Sequence, residues 1–229
     1  FTNTTASYGG AIYSTKDLNV TNSTFKDTAG GAIDGVGSVS VSDSTFTKNS
    51  GRVISGSNVT VFDSTFTNNT ARNGGAIWIH SGGNLIVTNS TFTKNTATDS
   101  TSFDFGGGAI SSGDYYSRVG SESNIIVINS TFINNTATNC PGGAINIYGN
   151  LTLINSSFIN TSASSGGAIY GFGYVLSGIN YWSNVTVINS SFINTTANYG
   201  GGAISSGGVT VTNSSFINTT ASGNGGAIY

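Results

Sequence analysis

The stretch Val185-Thr186-Val187-Ile188-Asn189-Ser190-Ser191-Phe192, closed by Gly201-Gly202-Ala203-Ile204, is one copy of a unit that fills the chain. Its Phe half recurs at Phe1, Phe25, Phe46, Phe66, Phe92, Phe132, Phe158, Phe192 and Phe216. Its Gly-Gly-Ala-Ile half ends at Ile12, Ile33, Ile54, Ile77, Ile110, Ile145, Ile169, Ile204 and Ile228. One copy is degenerate and reads Gly51-Arg52-Val53-Ile54. Self-similarity of this kind sets the architecture before any other feature does.

Aligned on Phe, the copies resolve into columns. Seven residues before Phe stand Leu18, Val39, Val59, Leu85, Ile125, Leu151, Val185 and Val209, and five before stand Val20, Val41, Val61, Val87, Val127, Leu153, Val187 and Val211. Both columns are aliphatic throughout, and the residue between them varies. Period two with β-branched residues is the signature of a strand. Gly75-Ala76-Ile77-Trp78-Ile79 alternates as well, which predicts Gly and the two Ile on one face and Ala and Trp on the other. Three residues before Phe the chain always carries Asn or Asp, from Asn22 and Asp43 to Asn213. Those side chains bond nearby backbone and tolerate turn conformations.

The shortest repeat runs from Phe46 to Phe66. That length holds three short strands and three corners, and no 3.6-residue apolar period supports a helical alternative. The pattern predicts an all-β, right-handed parallel β-helix of about eight to nine coils, with residues 1–229 forming one solenoid domain. At a strand spacing of about 4.8 Å the stack is about 38 Å long. A single coil cannot bury its own apolar face, so stability is a sum over neighbouring coils. Both terminal copies are ordinary repeat, so the sequence predicts either a segment of a longer solenoid or copies stacked end to end into a fibre.

Charged residues make up only 7% of the chain and the net charge is −2. A nucleic-acid partner is excluded by the lack of a basic footprint. No apolar run of about 18 residues predicts a membrane span. The lone Cys140 cannot form an internal disulfide. His80 reads as an exposed residue following Ile79. No Cys/His cluster or calcium loop suggests a metal, and no cofactor is expected.

Three insertions interrupt the period: near 98–106 with Asp99, Phe103, Asp104 and Phe105; near 111–123 with Asp114, Tyr115, Tyr116 and Arg118; and near 170–183 with Tyr170, Phe172, Tyr174, Tyr181 and Trp182. The last two occupy the same place in the coil, which puts their bases on one edge. Inserted loops often mark a binding face. Loops that pack on each other to cover apolar wall are the favoured reading. Tyr115, Tyr116, Arg118, Tyr174, Tyr181 and Trp182 are the candidate contact residues.

The chain holds 16 Asn-x-Ser/Thr sequons, the acceptor sites of exported glycoproteins. Six sit in the turn column: Asn22, Asn89, Asn129, Asn155, Asn189 and Asn213. Six stand two residues after Phe, in a column that also holds Asp27, Lys48 and Lys94 and so faces solvent: Asn3, Asn68, Asn134, Asn160, Asn194 and Asn218. The second set reads as the better acceptors, and Asn19, Asn58, Asn150 and Asn184 complete the list.

Gly-Gly-Ala-Ile together with Phe-x-x-Asn, as in Phe46 to Asn49, Phe66 to Asn69, Phe92 to Asn95 and Phe132 to Asn135, resembles the repeats of chlamydial polymorphic outer-membrane proteins. The phrasing Asn-Ser-Thr-Phe-x-x-Asn-Thr-Ala is also similar to adhesin-like surface proteins of methanogenic archaea. The resemblance spans the whole chain and implies a parallel β-helix and a cell-surface or extracellular role. The expected function is therefore structural or adhesive, with further copies, attached glycans and carbohydrate or cell surfaces as partners. Two alternatives share the fold: a pectate-lyase-like carbohydrate-active protein, which needs converging charged residues, and an ice-binding solenoid. The only clustered charges, Asp99, Asp104, Asp114 and Arg118, lie in the insertions of one coil, and the outward Thr ladder through Thr60, Thr152, Thr186 and Thr210 is broken by Ile86 and Ile126. No catalytic activity is expected.

Overall fold

The computed structural model describes residues 1–98, 106–113, 122–176 and 179–229. Among them there is no helix. The strands form a 14-stranded, an 8-stranded and a 6-stranded sheet, all parallel, plus a two-stranded antiparallel hairpin. The chain winds as the columns predict. The aliphatic strand runs along the 14-stranded sheet, the Phe strand along the 8-stranded one and a Thr-Ala or Ser-Ala pair along the third.

Every coil stacks on the next in identical register. Phe25 pairs with Phe46, Phe46 with Phe66, Phe66 with Phe92, Phe92 with Phe132, and so on to Phe216. From Phe1 to Phe216 successive ring centroids are 4.7 to 5.0 Å apart, with planes inclined by only 2° to 5°. That separation is the backbone spacing imposed on the rings, and it falls in the range for offset stacking. The insertion-bearing step from Phe92 to Phe132 keeps a spacing of 4.8 Å, so its extra residues leave the ladder intact. Phe25 through Phe192 are fully buried together with the aliphatic columns from Val39 to Val187, while at the ends Leu18, Val209 and Phe216 are half-buried and Val211 is exposed.

The Gly-Gly-Ala-Ile corner departs from simple alternation. Ala76 was expected to face outward with Trp78; instead it is fully buried in the same core cluster as Ile77. Both Ala76 N and Ile77 N donate to Ala109 O, each at 2.9 Å, and the pattern recurs at Ala109/Ile110, Ala144/Ile145, Ala168/Ile169 and Ala203/Ile204. Two consecutive amides sharing one acceptor turn both side chains inward, and alternation resumes only at Ile77-Trp78-Ile79. The first glycine of every copy has positive φ, from +53° at Gly9 to +90° at Gly51, which a Cβ disfavours. A Cβ on the second, at Gly75, would collide with Gly108 O.

A buried polar ladder runs beside the Phe rings. Asn49, Asn69, Asn95 and Asn135 are at most 1% exposed. Asn69 Nδ2 donates to Phe46 O (3.0 Å) and to Asn95 Oδ1 (2.9 Å). Asn95 Nδ2 donates to Phe66 O (3.0 Å) and to Asn135 Oδ1 (3.1 Å). Each Oδ1 also accepts the backbone amide of the preceding coil, as in Asn69 N to Asn95 Oδ1 at 3.1 Å. Both donors and the acceptor of Asn49, Asn69 and Asn95 are thereby used, as burial demands, while Asn135 at the end of the ladder donates to Phe92 O alone (2.8 Å). The Phe-x-x-Asn motif is thus an interior device, a role its sequence did not disclose. A second ladder joins buried serines two residues before Phe: Ser44 N donates to Ser64 Oγ (3.1 Å), and Ser44 Oγ to Ser42 O (2.7 Å). In the last coils Thr161 and Thr195 occupy the Asn column, buried, with no hydrogen-bond partner for Oγ1.

Taking a rung away and adding one give opposite expected effects. Phe132→Ala lowers unfolding free energy by about 3–5 kcal/mol, cavity included. Thr161→Asn gives Phe132 O a donor and extends the amide ladder, raising stability by about 1 kcal/mol. Equilibrium denaturation followed by far-ultraviolet dichroism checks both; a Thr161→Asn variant less stable than the parent contradicts the stabilising role of the ladder.

Candidate functional site

The degenerate copy builds a distinctive surface feature. Arg52 stands where other copies carry the second glycine, and the turn around it differs: Gly30, Gly31 and Gly51 have φ of +84°, +86° and +90°, against +53° to +72° for the first glycine of the remaining copies. One coil on, the strand Ile77–Thr88 buries Ile77 and Ile79, so period two sends Trp78 and His80 outward on the same side. The Arg52 guanidinium carbon lies 3.6 Å from the Trp78 ring centroid, a close cation–π contact. His80 packs against Trp78 at 4.6 Å between centroids. Its Nε2 is 3.1 Å from Ser55 Oγ and its Nδ1 3.5 Å from Ser57 Oγ. The imidazole is half-buried and held by partners, not the free exposed residue that its place after Ile79 suggested.

The outward column through this region is Tyr13, Asp34, Ser55 and Trp78, one residue per coil in register. Tyr8 and Ser7 from the first coil, Gly30 with Asp34, Gly51 with Arg52 and Ser55, and Trp78 with His80 together line an open groove of about 300 Å³. A depression of that size accommodates one or two small rings, and its wall offers an aromatic rim at Tyr8, a guanidinium, an imidazole, a hydroxyl and a carboxylate. Sequence reasoning missed the groove because its residues come from four coils; the one signal was the break in the repeat at Arg52.

The predicted contact loops fare differently. Tyr115, Tyr116 and Arg118 lie outside the described residues, as do Asp99, Phe103, Asp104, Phe105 and Asp114. The 170–183 insertion contains the antiparallel hairpin of Gly173–Leu176 with Ile179–Trp182, in which Tyr174 pairs with Tyr181 through the backbone. Trp182 is 52% exposed, and its indole lies against Gly173 and Gly207. The strand that leads into this hairpin is three coils along from that of Trp78, so hairpin and groove are separate places on the rod. The bases of the two insertions do converge on one turn: Ser123 N donates to Tyr148 O (2.8 Å), Phe172 N to Ile147 O (2.8 Å), and Gly149 N to Ser183 Oγ (3.0 Å).

The sequon columns share one backbone geometry. The turn column has φ of +45° to +52°, from Asp63 to Asn89, and the column two residues after Phe, from Asn3 to Asn218, has φ of +53° to +56°. Both are left-handed corners, so turn duty does not separate one set from the other. Asn3, Asn68, Asn160, Asn194 and Asn218 are exposed and Asn134 is half-buried; Asn19, Asn58, Asn150 and Asn184 are exposed on the strand. No cluster of three or more His, Cys, Asp or Glu able to hold a metal occurs among the described residues. Cys140 is buried against Ala97, Ala137 and Ala163.

The family model for the right handed beta helix region matches residues 1–122, slightly more than half of the chain. The chain belongs to the right-handed β-helix family. No curated protein and no solved structure matches it. In this β-helix the groove at Arg52 lies where the Gly-Gly-Ala-Ile unit is broken. Removing the guanidinium uncovers the indole. With Trp182 replaced by Phe as background, Arg52→Ala is expected to raise acrylamide quenching of Trp78 fluorescence at least twofold, while the far-ultraviolet spectrum stays unchanged.

Proposed function

We propose that this β-helix is a non-catalytic structural and adhesive rod of a cell surface or extracellular layer, carrying N-linked glycans. The observation that carries this reading is the exterior. It is a set of repeated Asn, Ser, Thr and Ile rungs with very little charge, broken by a ligand-sized groove at Tyr8, Asp34, Arg52, Trp78 and His80. Repeated neutral rungs suit a scaffold, because they give length and rigidity without creating a reaction centre. The likeness of the Phe-x-x-Asn and Gly-Gly-Ala-Ile units to chlamydial and methanogen surface repeats points the same way. Further coils, of the same chain or of another copy, continue the ladders by the same register.

In this reading the groove makes the adhesive contact, with a carbohydrate of the opposing surface. Tyr8 offers a ring to stack on, Arg52 and His80 offer polar hydrogens, and Asp34 accepts from hydroxyls. Asp34, Arg52 and His80 in one groove also favour, as a second reading, a carbohydrate-active enzyme. A glycan array probed with the purified chain separates the two. The adhesive reading expects retention on a subset of sugars, weakened at least tenfold by the Arg52→Ala/Tyr8→Ala pair, with no shortening of any oligosaccharide on prolonged incubation. Release of new sugar ends that Asp34→Asn abolishes establishes the enzyme instead.

A further inference from the structure

The exposed asparagines do not stand alone. Asn194 Nδ2 donates to Asn160 Oδ1 (3.0 Å) and Asn218 Nδ2 to Asn194 Oδ1 (3.2 Å). Asn129 bonds Asn89, and Asn155 bonds Asn129, both at 3.2 Å. On the strand face Asn150 bonds Asn124 (3.1 Å) and Asn184 bonds Asn150 (3.3 Å). These are amide ladders of the kind that stacked identical strands produce. The fold also explains why so many of these residues sit in sequons. A left-handed corner selects Asn, the next residue points inward, and the one after is an outward strand residue for which Ser or Thr serves. Asn189-Ser190-Ser191 and Asn194-Thr195-Thr196 arise this way whatever their modification. A sequon here is therefore not by itself evidence of a glycan.

One sequon breaks the pattern on both sides. In register, Asn68 lies between Lys48 and Lys94. It has no asparagine on either neighbouring rung. We propose that a glycan is carried by such an isolated rung, and that adjacent rungs of an Asn ladder are never both occupied. The reason is steric. Rungs repeat every 4.7 to 5.0 Å along the rod. A branched glycan on Nδ2 is much wider than that, and on a ladder rung it emerges against the amide of the next coil. Attachment before folding leads to the same end, because a chain with sugars on adjacent rungs cannot close its ladder and is lost from the folded fraction. This inference rests on the reading of the protein as a surface glycoprotein and names which residues that reading uses.

The test is site-by-site glycopeptide mapping of the folded chain secreted from a glycosylating host, with enzymatic deglycosylation in heavy-oxygen water to mark each occupied Asn. High occupancy is expected at Asn68, and at least fivefold lower occupancy at Asn160, Asn194 and Asn218. The Asn160→Lys/Asn218→Lys pair gives Asn194 the two lysine neighbours that Asn68 has, and is expected to raise its occupancy several-fold. Comparable occupancy of Asn160, Asn194 and Asn218 on the same molecules, or no rise in the Lys variant, overturns the ladder rule while leaving the glycoprotein reading in place. A chain bare at every sequon overturns both.

Discussion

Identical register between consecutive coils is the constraint on which the rest of the molecule depends. In a parallel stack each backbone amide of one coil is satisfied by the next, and each side chain meets its own kind one strand spacing away. A shift of one residue would turn the Phe and aliphatic columns outward and the Thr column inward. The tolerance for insertions follows from the same constraint. Phe92 and Phe132 are separated by twice the minimal repeat yet stack at 4.8 Å, because the strands between them keep the register of their neighbours.

Apolar burial alone does not hold that register against slippage along the axis, because one Phe or Val rung resembles another. The buried asparagines add direction. Asn49, Asn69 and Asn95 each reach back to a Phe carbonyl of the coil before and forward to the Oδ1 of the coil after, and Asn135 closes the ladder with its bond back to Phe92 O. A misplaced coil leaves both donors and the acceptor unpaired inside the wall, at a cost of about 1–3 kcal/mol for each. Thr161 and Thr195 fill the same column with side chains too short to reach either partner, so the final coils depend on their apolar rungs and the serine ladder.

The sequence announced the stack, the parallel strands and the Phe and aliphatic columns, because ladders require the same residue at the same place in every coil. It misled where one residue type serves two ends. Asn after Phe-x-x read as a family mark, although the buried copies were the ones that match it. The Ala of Gly-Gly-Ala-Ile was assigned outward by alternation, which fails where Ala and Ile amides share one carbonyl. His80 read as exposed because its partners, Ser55 and Ser57, sit on the preceding coil and not beside it in the chain. Contacts between coils at non-repeating positions leave no periodic trace.

On the proposed adhesive reading, recognition falls to those same non-repeating positions. A perfect repeat presents the same rung everywhere and has no means of choosing one place over another, so a specific contact requires a break in the pattern. Arg52 is such a break. In place of a glycine it introduces a cation, and the cation needs a partner on the wall. Trp78, one coil on, supplies a ring, and His80, two residues further, fills the space beside it. Each of the three departs from what its column carries elsewhere: Gly at 52, small or polar residues at most positions matching 78, and no other histidine in the chain. The stiff ladders beneath keep the three in fixed relation without any side chain of their own making the frame. The uniform part of the chain thus serves as the ruler, and the exceptions are the marks placed on it.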